Sequence, residues 1–233
     1  MWFLDEWYFI LVLPAILISI IASVRIKTTF KKYNSIKVVS NVSSNEVINK
    51  ILMNNEIYDV NLGYTQKELG DHYDPRNNTI VLSSATNEKN TIGAIGVAAH
   101  EAGHAIQYSK KYFPVILRTV MVPAVNIGSY LGLILIMIGM LYNSNSSVLM
   151  LQIGIALYSL AFIFTLVTLP VEIDASRRAI AAIDQTGVMS KEELGGVKKV
   201  LTAAALTYVA SMLVALANLL RIIILVSGRG RRK

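Results

Sequence analysis

No cysteine occurs in the 233 residues, so neither a disulfide nor a thiolate metal ligand is available to this chain. Any metal must be held by nitrogen or oxygen donors, from His, Asp or Glu. Histidine is scarce too, with three in all: His72, His100 and His104. Charged residues make up 16% of the chain, against about 25% in ordinary soluble domains. The net charge is +7, yet no basic stripe interleaved with aromatics accompanies it, which argues against a nucleic-acid partner. The Lys and Arg residues instead flank long apolar runs, where the anionic head groups of a lipid bilayer attract them.

Those runs account for 54% hydrophobic residues and a mean hydropathy of +0.51. Four are long enough to cross a bilayer, which takes about 20 residues: Trp7–Val24, Thr119–Leu141, Val148–Leu169 and Leu201–Val226. Asp5 and Glu6 precede the first, and Ile21-Ala22-Ser23 is a poor cleavage site, so it reads as a retained anchor rather than a signal peptide. The uncharged Tyr142–Ser147 joins the second and third runs as a tight hairpin, returning the chain to the side it left. Thirteen Lys and Arg flank the apolar runs on the side of segments 25–118 and 170–200. Four stand opposite, all in the tail from Arg229, so the first side is expected to face the cytoplasm. Asn218 and Arg221 are expensive at bilayer depth, which predicts a tilted or partly interfacial last helix.

Within the polar segment stands His100-Glu101-Ala102-Gly103-His104. On a helix, residues four apart share a face, so His100 and His104 can reach one metal ion, and neutral imidazoles at that spacing suit Zn²⁺. Glu101, the only Asp, Glu, Lys or Arg between Asn90 and Lys110, is placed to act as the general base on a zinc-activated water. The surrounding helix is rich in Gly and Ala, which allows neighbouring helices to approach closely. Upstream, Ser43 to Glu46 offers a capping box. Ile57–Leu62 and Thr79–Ser83 read as strands, the second following turn chemistry at Asp74–Asn78. An edge strand beside the metal helix could take an extended peptide; a strand that merely covers the core is the plainer reading.

A catalytic zinc takes three protein ligands and keeps one position open. His72, Glu172 and Asp174 are the candidates for the third. Glu172 is expected near a helix start, with Ala175, Ala179 and Ala182 allowing that helix to lie close to the metal helix. Asp174 is equally an (i, i+4) partner for Arg178 or a group orienting a ligating histidine. His72 and Tyr208 are candidates for stabilising an oxyanion, with an ordinary turn residue and a packing aromatic as the plainer readings.

Ala98–Gln107, Asp71-His72-Tyr73-Asp74-Pro75 and Pro170–Ala179 together resemble the YugP-type membrane zinc metallopeptidases of bacteria, over essentially the whole chain. More distantly the chain is similar to HtpX-type and CAAX prenyl proteases, whose glutamate ligand heads an E-x-x-A-D pattern. Glu172 and Ala175 match that pattern, while Ser176 stands where the aspartate would be. The resemblance implies His100, His104 and Glu172 as zinc ligands in a bacterial cell-membrane enzyme acting on peptide or membrane-protein substrates.

The expected fold is mainly α, a multi-span helical membrane protein with a small α+β zinc subdomain carrying a short β-hairpin or sheet beside the metal helix. Its expected segments are an anchor (1–24), the zinc-site subdomain (25–118), a transmembrane hairpin (119–169), a third-ligand helix with linker (170–200), and a membrane helix with basic tail (201–233). The expected function is a membrane-embedded zinc metalloendopeptidase. The alternative is a catalytically inactive zinc-binding scaffold or chaperone-like partner, with a closed four-ligand site.

Overall fold

The computed structural model describes residues 5–67, 70–142 and 145–230. In chain order the elements are a π-helical turn (Tyr8–Val12), α1 (Leu13–Tyr33), α2 (Ser44–Asn54), β1 (Asn61–Thr65), β2 (His72–Asp74), β3 (Thr79–Ser83), α3 (Ile92–Ser109), α4 (Phe113–Leu141), α5 (Asn145–Thr186) and α6 (Lys191–Gly230). The protein is therefore mainly α with one small sheet. Apolar runs satisfy their own backbone groups as helices, and the four runs become helices long and apolar enough to cross a membrane: Tyr8–Tyr33, Phe113–Leu141, Ser146–Thr186 and Lys191–Gly228. The expected turn at Tyr142–Ser147 includes residues 143 and 144, which lie outside the described residues, as do residues 231–233 of the basic tail.

The chain divides into two compact units. One comprises Ala22–Ile116 and Pro170–Leu206 and contains the sheet. Its α2 begins with the expected capping box: Ser43 Oγ accepts from the Glu46 amide, and Glu46 Oε2 accepts from the Ser43 amide at 2.8 Å. Val47, Ile48, Ile51 and Leu52 follow with helical spacing and are buried with Ile80, Leu82, Ile95 and Ile183. In the sheet, β3 is central, parallel to β1 and antiparallel to β2.

The first strand lies later than the expected Ile57–Leu62. Ile57 donates its amide to Leu52 at the exit of α2 and so belongs to the helix end. The ladder starts only at Asn61, opposite Thr79.

Helix α3 starts on Thr91, whose side chain accepts from the Ala94 amide, and it is buried along most of its length. Its small residues set how near other chain segments come. A Cβ at Gly93 would lie 2.9 Å from the Asn34 nitrogen, and one at Gly96 would lie 3.2 Å from Val197. At Gly103 a Cβ would overlap the Ala175 carbonyl of α5. Gly103→Val is therefore expected to destabilise this unit despite removing a helical glycine, by about 1–3 kcal/mol of overpacking. Bound zinc should fall with it, because α5 is pushed away. Thermal unfolding and metal analysis of the variant check both effects.

Glu172 does not start a helix. Pro170 sits inside α5, which runs unbroken from Asn145 to Thr186. Proline forfeits one backbone bond, but Val171, Ala175, Ala179 and Ile183 are fully buried beyond it, and that packing carries the helix through.

The other unit comprises Met1–Ile21, Leu117–Leu169 and Thr207–Lys233. Here α4 and α5 cross at two glycines. A Cβ on Gly132 would come 2.7 Å from the Gly154 carbonyl, and one on Gly154 would come 2.9 Å from that of Gly132. The costly Arg221 is compensated: its Nη2 and Nε donate to Asp5 Oδ2 at 2.6 and 2.9 Å, and its guanidinium lies 5.4 Å from the Tyr8 ring centroid. Asn218 Nδ2 donates to the Val214 carbonyl, so its amide is also bonded within α6.

Candidate metal centre

Four residues apart on α3, His100 and His104 present their rings side by side, centroids 4.8 Å apart. Across from them α5 supplies Glu172, brought close by the contact of Gly103 with Ala175. Glu172 Oε2 lies 3.2 Å from His100 Nε2 and 3.5 Å from His104 Nε2. Glu172 is 2% exposed. Donors at zinc-bond length, about 2.0–2.1 Å from a tetrahedral ion, stand roughly 3.3 Å apart. Two imidazole nitrogens and a carboxylate oxygen at these separations fit zinc.

The other ring nitrogens face away from the cluster, toward polar side chains. His104 Nδ1 is 3.0 Å from Gln107 Oε1. Gln107 is fully buried, and its Nε2 donates to the Val171 carbonyl at 2.8 Å and to Asp174 Oδ2 at 2.9 Å. Reversing that amide would set its oxygen against two acceptors, so its orientation is fixed by the network. Its Oε1 must then accept, and His104 Nδ1 must carry the hydrogen. The Nε2 lone pair of the neutral ring is thereby turned toward Glu172, where a metal would be held. His100 Nδ1 has Ser176 Oγ at 3.2 Å.

Burial alone would lower the pKa of His104. The Glu172 hydrogen bond and the charges of Glu101 and Glu172 outweigh it, holding the imidazole above its ordinary value. Protons therefore compete with zinc for His104, and metal affinity falls as pH is lowered.

Glu101 is 7% exposed, on the helix that bears the histidines, and no described residue hydrogen-bonds its carboxylate. Asp174 stands outside the donor set, accepting from Gln107 and from Arg178 Nε at 2.5 Å. It makes the (i, i+4) pair read from the sequence and also reaches His104 through Gln107. His72 opens β2, exposed, with its Nδ1 2.8 Å from the Gly70 carbonyl. Its neighbour Asp71 holds the end of β3, accepting from the Ser83 amide and hydroxyl and from Thr86 Oγ1. Tyr208 is half-buried on α6, in the other unit.

The sequence reading missed Gln107 and the contact made by Ser176. Gln107 carried one signal: it is a polar residue three positions after His104, on the same face of an apolar helix. Gln107→Leu keeps the volume but leaves His104 Nδ1 without its acceptor, and zinc affinity is expected to fall about 10–100-fold. Competition with a chromophoric chelator measures that loss.

Comparison with known proteins agrees with this geometry. The chain is 40% identical over 223 residues to "Putative membrane protease YugP" of Bacillus subtilis (strain 168), covering 95% of this chain and 98% of that protein. No solved structure matches it significantly. The family model described as "Putative neutral zinc metallopeptidase" matches residues 8–227, and the chain belongs to that family.

Proposed function

We propose that this protein is a membrane-embedded zinc endopeptidase in which His100, His104 and Glu172 hold the metal and Glu101 moves the proton. One observation carries the reading: two imidazole Nε2 atoms converge on one buried carboxylate oxygen, with a second buried glutamate on the same helix. Bound there, zinc would supply Lewis acidity, making water more acidic and polarising the scissile carbonyl.

The chain's own residues do the rest. A carboxylate oxygen of Glu101 accepts a proton from the attacking water as the C–O bond forms. The same carboxylic acid then delivers that proton to the amide nitrogen as the C–N bond breaks. Gln107 and Ser176 hold the two rings in place while the charge shifts. β2 is an edge strand set against α3 through the Tyr73–Tyr108 contact, 5.4 Å between centroids, and offers an extended substrate backbone a place to pair.

The excess of Lys and Arg on this side supports a cytoplasm-facing site. The scaffold alternative requires a fourth protein ligand. Its two candidates are engaged elsewhere, Asp174 by Gln107 and Arg178, and His72 at the sheet edge.

Purified full-length protein in detergent is expected to cleave an unfolded protein substrate, to stop on chelation and to recover with added Zn²⁺. Cleavage that persists through exhaustive chelation removes the proposal.

A further inference from the structure

Away from the metal, α1 and α6 enclose a recess of about 570 Å³. Arg25, Thr29 and Lys32 line it from α1 at helical spacing, and Lys198, Lys199 and Thr202 line it from α6. Four cations and two threonine hydroxyls thus face one cavity, and among the described residues no carboxylate lines it. Among the described residues none of the four cations belongs to an ion pair. Acids border two adjoining recesses. Glu192 and Glu193 stand near Lys32 and Lys199, with Glu193 oxygens accepting from the Val39 and Ser190 amides at 2.7 Å. Asp174 and Asp184 stand near Lys198, paired with Arg178 and Lys191.

The recess is built into the packing. Gly196 lets α6 rest on Tyr33, where a Cβ would come within 2.9 Å of the ring. At the preceding residue, which lines the recess, a Cβ on Gly195 would meet nothing within 4 Å.

The place of this recess along the two helices names its occupant. Arg25 is the first charged residue after an apolar run that starts beyond Glu6. Lys199 is the last before a run that stays uncharged until Arg221. Both helices are candidate membrane spans, and both change from charged to apolar at this level. Four like charges gathered without counter-ions repel one another, and an anion between them relieves that cost. At the depth where two spans leave a bilayer, the abundant anion is a lipid phosphate.

We propose that this recess is a binding site for the phosphate of an anionic phospholipid, seated between α1 and α6. The site is separate from the zinc chemistry, so lipid retention and peptide cleavage test different claims.

Native mass spectrometry of the full-length protein in nonionic micelles doped with phosphatidylglycerol or phosphatidylcholine reads it directly. Wild type is expected to retain one phosphatidylglycerol in preference to phosphatidylcholine. The triple change Arg25→Gln, Lys198→Gln and Lys199→Gln should weaken retention about fivefold per cation removed. Gly195→Leu fills the recess without altering charge and should weaken retention as well, while zinc content stays at the wild-type value and the unfolding midpoint does not fall below it. Equal retention of the two lipids, or unchanged retention in the triple variant, overturns the proposal. Unchanged retention in Gly195→Leu does so too, because it leaves only diffuse surface attraction. Displacement of phosphatidylglycerol by millimolar inorganic phosphate would make this a free-ion site and overturns the lipid assignment.

Discussion

Glu101→Gln is expected to leave zinc content unchanged and to lower peptide cleavage by ~10³-fold or more, within the range of a lost general base. The side chain keeps its size and buried place on α3, so the fold has no reason to change. What disappears is the carboxylate proposed to take a proton from water and return it to the leaving nitrogen. The donor set does not include Glu101, so metal retention separates a proton-transfer defect from a binding defect. Cleavage at the wild-type rate by a zinc-loaded Glu101→Gln protein would leave Glu101 without its role.

Glu172→Ala should act on the other half of the site. Removing the carboxylate takes away one of three donors and the only anion among them, so zinc affinity is expected to fall by more than the ~100-fold reached by outer-sphere changes. His72→Ala and Asp174→Ala are the informative companions. His72 is committed to the Gly70 carbonyl, and Asp174 touches the histidines only through Gln107, so both variants should retain most of their zinc. Metal analysis after identical dialysis ranks the three. If Glu172→Ala holds zinc normally while either companion loses it, the third ligand is misassigned. The pH dependence should change as well. In the wild type, Glu172 helps raise the pKa of His104, so without Glu172 acid competes less with the metal.

Much of this arrangement could be read in the amino acids because it rests on local spacing. Histidines four positions apart put two rings on one helix face, and Ser43 with Glu46 closes a capping box whatever the tertiary context. Thr79–Ser83 is a short, largely apolar run directly after turn residues, and β3 is found there with Ile80 and Leu82 buried. The errors came where distant packing decides. Pro170 reads as a helix boundary, yet buried residues on its far side carry α5 through it. Ile57 has strand character, but its amide is spent on the end of α2. The Gln107 network spans 64 to 67 residues of chain and depends on the depth of the contact at Gly103, which no local pattern encodes. The same holds for Asp5 and Arg221, each a liability alone and compensated only across 216 residues.

The continuity of α5 bears on how the protein is made. Its histidine pair is translated well before its carboxylate, and two helices suited to crossing a membrane, α4 and the first part of α5, lie between them. A ribosome-bound chain that has emerged only through α3 carries two imidazoles and a general base, but no anionic donor. The donor set becomes complete only after Glu172 follows both apolar stretches out of the ribosome, on the same unbroken helix as the second. If the protein has the proposed activity, a nascent or truncated product lacking those stretches would be inert, because the third donor would be missing.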